Sequence, residues 1–317
     1  MGVEYSKGLH EVGDGLYAYL QPDGGWGWSN AGLVVDGEST LLIDTLFDLK
    51  LTEEMLAAMR RAVRAAKRID TLVNTHGNGD HCYGNQLVRD ARIIASERTA
   101  EEMGELPASA MAALVAQAPE MGQLGEFFLR CFGAFDFDGI EAVLPGETFA
   151  GELELRVGAR EVRLIEVGPA HTRGDTLALL PADRVLFAGD ILFNGGHPIA
   201  WAGPVSNWVG ACDRILAMDV DVIVPGHGPV TDKSAVAELK AYFEYLYEQA
   251  GRLHADGLSP VEAARALSLD RWAQWGERER LAVNLANIFK ELDGSEEALN
   301  PLLAFGDMAA MGAPAAG

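Results

Sequence analysis

Four apolar runs in this chain each end in a glycine-rich turn that carries a histidine or an aspartate. Thr71-Leu72-Val73 leads into Thr75-His76-Gly77-Asn78-Gly79-Asp80-His81, and Glu161 to Val167 leads into Gly168-Pro169-Ala170-His171-Thr172. Val185-Leu186-Phe187 leads into Ala188-Gly189-Asp190, and Val220 to Val224 leads into Pro225-Gly226-His227-Gly228. Ile43-Asp44-Thr45 closes a further run upstream. Short apolar runs bounded by turn residues read as buried strands, and the carboxyl ends of such strands are where α/β folds build sites. Only seven histidines exist here, and four of them fall in these segments.

The residue types point to metal chemistry. Imidazole nitrogen and carboxylate oxygen suit zinc or a similar divalent ion, and a carboxylate able to bridge, here Asp190, suits two ions held close together. One histidine at a strand end is unremarkable as structure. Several in like settings, with two partner aspartates, are a ligand set.

With these segments in view the chain resembles the metallo-β-lactamase-fold superfamily, whose signature is His-x-His-x-Asp-His followed at long range by His, Asp and His. The resemblance covers about residues 9 to 230. It implies that His76, Asn78 and His171 face a first metal position, that Asp80, His81 and His227 face a second, and that Asp190 bridges them. It implies that Asp44 steadies the loop holding His76. Asn78 stands where the family has its second histidine. An amide oxygen is a weaker zinc ligand than imidazole, so one or two ions per chain are expected, zinc first, with manganese or iron left open. Asn78-Gly79 also reads simply as a turn. His197, in Asn194-Gly195-Gly196-His197-Pro198, is a candidate replacement ligand, a substrate contact or general acid, or simply a loop residue.

Within the superfamily, the chain resembles the metallo-β-lactamase-like cyclases of bacterial aromatic polyketide biosynthesis. The shared segments are Gly24-Gly25-Trp26 with Ser29-Asn30-Ala31-Gly32, Asn74-Thr75-His76 through Gly84-Asn85-Gln86, Val167 to Thr172, and a helical C-terminal extension. The expected activity is hydrolysis of an ester, lactone or thioester carbonyl by metal-activated water, with Asp80 orienting the water. The alternatives are intramolecular ring closure of a polyketide-like substrate and a degenerate binding protein.

Charge and cysteine content narrow the setting. With 47 acidic against 25 basic residues the net charge is −22, which repels nucleic acid phosphates. The three cysteines, Cys82, Cys131 and Cys212, are too few and irregular for a disulfide framework and suit a reducing cytoplasm. No targeting segment is read at the start, and no apolar run approaches the roughly 20 residues of a membrane span.

Along the chain, Val12 to Leu20 and Ala31 to Val35 read as paired strands around a loop containing Trp26 and Trp28, an expected apolar wall for an acyl substrate. Helix is expected from Thr52 to Lys67, with Leu51, Met55, Met59 and Val63 facing the core. A Met- and Phe-rich helical insertion is expected over about 101–132, as a lid or a packing pair. Two lobes of strands followed by helix, stacked sheet to sheet, give the four-layer αββα sandwich that the resemblance implies. This catalytic domain is expected over 1–230, a helical extension over 231–307, and a disordered tail over 308–317. A homodimer is expected from the extension and insertion.

Overall fold

The computed structural model describes residues 2–295 and 297–311. The first half runs β1 (Gly8–Gly13), β2 (Leu16–Leu20), β3 (Ala31–Asp36), β4 (Ser39–Ile43), α1 (Leu49–Ala62), β5 (Thr71–Val73), α2 (Gly79–Cys82) and β6 (Arg92–Ser96). It continues through α3 (Glu97–Glu102), α4 (Ala108–Gln117) and α5 (Gly122–Phe132) to β7 (Glu147–Phe149). These strands form one sheet in chain order, antiparallel from β1 to β4 and parallel from β4 to β7. The second half runs β8 (Glu152–Val157), β9 (Arg160–Glu166), β10 (Thr176–Leu180), β11 (Val185–Phe193), α6 (Val205–Ala217) and β12 (Val222–His227). Its sheet has the order β12-β11-β10-β9-β8, with only the β11/β12 pair parallel.

Why the sheets stack is visible in the period of two along each strand. Leu41 and Ile43 of β4, Val34 of β3 and Leu16, Ala18 and Leu20 of β2 pack with Leu155, Val162, Leu164, Ala178 and Phe187 of the other sheet. The alternate residues Leu42, Leu33 and Leu72 turn outward to a separate core with Met55 and Met59 of α1, and Leu186 and Ile223 do likewise with Trp208 and Ile215 of α6. Strands covered on both faces need apolar residues at successive positions, which is why they read as continuous runs. Gly32 lets the two sheets approach closely, since a Cβ there would lie 2.4 Å from the Phe187 ring. The result is the expected αββα sandwich.

Local boundaries differ from expectation for identifiable reasons. The run from Val12 to Leu20 is two strands, because Asp14-Gly15 turns with Gly15 at φ +68°. The first helix begins earlier, at Leu49, because the Asp48 side chain accepts from the Leu51 amide at 2.7 Å. It ends at Ala62, and a separate 3₁₀ turn covers Ala65–Lys67.

Beyond His227 come α7 (Lys233–Ala255), α8 (Pro260–Ala266), α9 (Leu281–Leu292) and α10 (Pro301–Met311). The Ser259/Glu262 capping box and Pro260 at the first position start α8 as their sequence implies. The tail expectation is corrected at its start: Met308 to Met311 belong to α10, and Met308 is fully buried. An Ala-rich segment lacks charge but not helix propensity, and packing decides its state. Residues 312–317 lie outside the described residues. Among the described residues no helix is long and apolar enough to cross a membrane.

Candidate metal centre

The strand ends of both sheets converge on Asp190, which projects from within β11. Its Oδ2 lies 3.3 Å from Nε2 of both His171 and His227 and 3.8 Å from that of His76, and its Oδ1 lies 3.1 Å from His81 Nε2. Asp80 Oδ2 is 3.3 Å from His227 Nε2 and 3.8 Å from His81 Nε2. Two groups of potential ligand atoms result, His76/His171/Asp190 and Asp80/His81/His227, each with its atoms within 4.8 Å of one another. Every member is buried.

The outer atoms of three imidazoles are fixed by hydrogen bonds. His171 Nδ1–H donates to the Ile199 carbonyl at 2.7 Å, and His81 Nδ1–H donates to Asp44 Oδ2 at 2.9 Å. His76 Nδ1–H donates to the Thr75 hydroxyl at 3.0 Å, which itself donates to Asp44 Oδ2 at 2.7 Å. With Nδ1 protonated, each ring turns the lone pair of Nε2 to the centre, the tautomer metal ligands use. His227 is held by its ring, stacked on Phe193 with centroids 5.0 Å apart.

A resident cation fits this chemistry. His76 Nε2 is buried without a hydrogen-bond partner, and His81 Nε2 and Asp190 Oδ1 face each other at 3.1 Å without hydrogen-bond geometry, a costly arrangement unless something else engages them. The field also demands positive charge. Burial disfavours the imidazolium of His227, yet Asp190 and Asp80 outweigh it and push its pKa up to about 9. Burial works equally against His81, and Asp190, Asp80 and Asp44 again prevail and raise it well above the usual range. Burial would lift the Asp80 carboxyl, but His81 and His227 hold it down to about 2.

The surroundings keep these groups close. Gly226 lies against Asp190, where a Cβ would collide with Oδ1 at 1.9 Å. Asn30 Nδ2 donates to the carbonyls of Pro225 and Gly228, bracketing the His227 turn, and the Ser29 hydroxyl donates to the Asp80 carbonyl. Asn74 Nδ2 donates to the His81 carbonyl at 2.8 Å, while Asn85 Nδ2 donates to Asn74 Oδ1 at 2.9 Å. Thus the Ser29-Asn30 and Asn74…Asn85 segments act as loop ties. Asp175 accepts from the backbone amide and hydroxyl of Thr172 and so shapes the His171 turn, its pKa pushed by burial up to about 8. That tie was missed in the sequence, although an Asp three residues beyond a Thr is a local turn signal.

Asn78 sits beside the first group, with Nδ2 2.9 Å from His171 Nε2. Above the cluster lies a cavity of about 280 Å³, reached by Asn78, Asp80, His171, Asp190 and His227 and walled by Trp26, Phe132, Trp201 and Phe305. Trp26 packs on Trp201, Phe132 and Phe305 with centroids 5.7–6.3 Å apart. Met111 and Phe132 of the helical insertion line it as well.

Two expectations are corrected. Trp28 packs on Phe135, centroids 4.8 Å apart, and borders an adjoining polar cleft rather than this cavity. His197 neither lines the cavity nor reaches the cluster: its Nδ1 bonds Tyr242 Oη at 3.0 Å, and its ring packs on Trp275. Its loop turns into the helical extension, so it serves packing and is not a replacement ligand for Asn78.

An αββα sandwich with this cluster at its strand ends defines a class, and residues 24–227 match the family described as the Metallo-beta-lactamase superfamily. The chain belongs to that superfamily. Among particular relatives, it is 27% identical over 203 residues to the 2,4-dinitroanisole O-demethylase subunit alpha of Nocardioides sp., covering 62% of this chain and 51% of that one. It is 23% identical over 266 residues to the linear primary-alkylsulfatase of Pseudomonas sp. (73% and 48% covered). It is 28% identical over 217 residues to the acyl-coenzyme A thioesterase MBLAC2 of Bos taurus (63% and 72% covered). The chain thus spans about half the length of the first two relatives. In fold it is similar to the inverting sec-alkylsulfatase Pisa1 from Pseudomonas sp., at TM-score 0.67 and 17% identity, covering 93% of this chain and 52% of that one. A metallo-beta-lactamase from Pontibacter korlensis aligns at TM-score 0.55 and 19% identity, covering 74% and 98%.

Proposed function

We propose that this chain is a metal-dependent hydrolase of short apolar acyl esters or thioesters. The observation that carries the reading is the aromatic cavity opening onto the His/Asp cluster: an apolar acyl group would rest on Trp26, Phe132 and Phe305 with its carbonyl at the ligand atoms. Relatives that include a thioesterase and an alkylsulfatase support hydrolytic use of such a cluster.

His76, His171 and Asp190, with Asn78 beside them, would hold one ion, and Asp80, His81 and His227 a second, with Asp190 shared. When bound, such ions polarise a carbonyl and make water more acidic, zinc being the expected metal. The chain's own part is positional. Asp80, facing the cavity, orients the attacking water and accepts its proton. The water oxygen bonds to the acyl carbon, the carbon–oxygen or carbon–sulfur bond breaks, and the proton passes from Asp80 to the departing alcohol or thiol. The aromatic wall keeps bulk water out while this occurs.

Purified protein of known metal content should hydrolyse p-nitrophenyl esters and acyl-coenzyme A thioesters of four to eight carbons, and Asp80→Asn should lose at least about a hundredfold in kcat. Metal-loaded protein that cleaves none of these compounds would overturn the reading.

A further inference from the structure

Among the described residues that line the cavity, one cation makes no salt bridge. Arg280, which immediately precedes α9, is only 2% exposed and lines the cavity together with Asp190 and His227. Its Nη1 donates to the His197 carbonyl at 2.9 Å, whereas Nε is buried with no hydrogen-bond partner. Among the described residues, Nη2 makes no hydrogen bond and no carboxylate lies within 4.0 Å of the guanidinium. Of the two carboxylates near it in sequence, Glu279 accepts from Trp26 Nε1 at 3.1 Å, and Glu277, whose pKa burial raises, feels the charge of Arg280 without pairing with it. Aromatic faces hold the guanidinium instead, Trp26 at 4.2 Å and Phe193 at 5.3 Å from the ring centroids. Phe193 is the same ring that stacks on His227, so Arg280 is registered to the cluster through one side chain.

Burying an unpaired guanidinium is expensive, and cation–π contact replaces only part of the lost hydration. Its fork of N–H donors matches an oxyanion and nothing else the cavity wall supplies. In a chain of net charge −22, a carboxylate partner would have been easy to provide. We propose that Arg280 receives an anionic group of the substrate, so that the cavity takes an apolar compound bearing a carboxylate, sulfonate or sulfate oxyanion besides its scissile bond. The inference rests on the reading that this cavity receives the substrate. It adds that neutral esters are poor representatives of that substrate.

The test is calorimetric binding to metal-loaded protein of octanesulfonate, a non-hydrolysable anion and a weak metal ligand, against octyl methyl sulfone, its neutral counterpart. Wild type should bind the sulfonate about tenfold or more tightly, Arg280→Gln should bring the two within about twofold, and Arg280→Lys should keep part of the preference. Octanoate, added as a third ligand, separates a planar carboxylate from a tetrahedral oxyanion as the preferred group. Equal affinities for sulfonate and sulfone in wild type overturn the proposal without any variant, as does a folded Arg280→Gln that retains the preference. If Arg280→Gln fails to fold, Arg280→Lys and the wild-type pair decide. Ester hydrolysis without an anion preference would remove this inference alone. An Arg280-dependent preference in a protein that cleaves no ester would remove the proposed reaction and leave the anion site standing.

Discussion

Asp44 does the work of several residues at one atom. Its Oδ2 receives both His81 Nδ1–H and the Thr75 hydroxyl, and its Oδ1 receives the Thr75 amide at 2.7 Å. It also holds φ at +63°, an unusual angle for a residue with a side chain. Asp44→Ala should therefore weaken metal affinity about 10- to 100-fold, read by competition with a chromogenic chelator. At His197 the expectation concerns stability. Burial, with Arg280 and Arg278 adding to it, lowers its pKa to about 3, so the folded chain keeps it neutral where an unfolded chain takes up a proton. Stability is then intact above about pH 6.5 and declines as the pH falls towards 3. Between pH 7 and 5 this one group costs about 2 kcal/mol, and His197→Gln should narrow the gap in unfolding free energy between those pH values, read from urea titrations, by that amount. The two tryptophans of the first loop separate likewise. Trp26→Ala should raise KM with metal content unchanged, whereas Trp28→Ala should cost about 2 kcal/mol of stability and leave KM alone.

At the scale of elements, the strand ends were legible because the chemistry demanded by a ligand set and the turn demanded by a strand end coincide in one short segment. Thr75 to His81 and Pro225 to Gly228 carry both signals at once. What was not legible is direction. Nothing in Pro22 to Asn30 says which indole faces the cavity, and nothing in Asn194 to Pro198 says that the loop turns towards α7 and Tyr242. Arg280 had no signal at all, being a single arginine in a helical extension with no spacing to a partner. Helix α10 shows the same limit: its Ala-rich sequence fits a tail or a helix, and the Phe305 contacts with Trp26, Trp201 and Phe132 decide it. Because Phe305 is part of the wall, a chain ending before Pro301 should retain its metal while losing activity at least about tenfold, measured on matched metal-loaded samples.

For the molecule as a whole, the centre is a structural load as well as a chemical resource. The imidazoles and carboxylates gathered around Asp190 come from both sheets, so a cation among them fastens one sheet to the other. Metal present at a hundredfold its Kd should add about 2.7 kcal/mol to folding, and stripping it with chelator should lower Tm by several degrees. A melting curve indifferent to chelator would show that the two sheets hold the cluster together unaided.

The cavity wall formed by Trp26, Phe132, Trp201 and Phe305 is assembled from four separate segments of the chain. Trp26 comes from a hairpin loop, Phe132 from an inserted helix, Trp201 from a connection, and Phe305 from the last helix, while every candidate ligand sits on the sandwich. On the proposed reading, selection of the substrate and the reaction itself are thus written into separate stretches of chain. Such a molecule can be retargeted by exchanging its peripheral pieces without rewriting its centre.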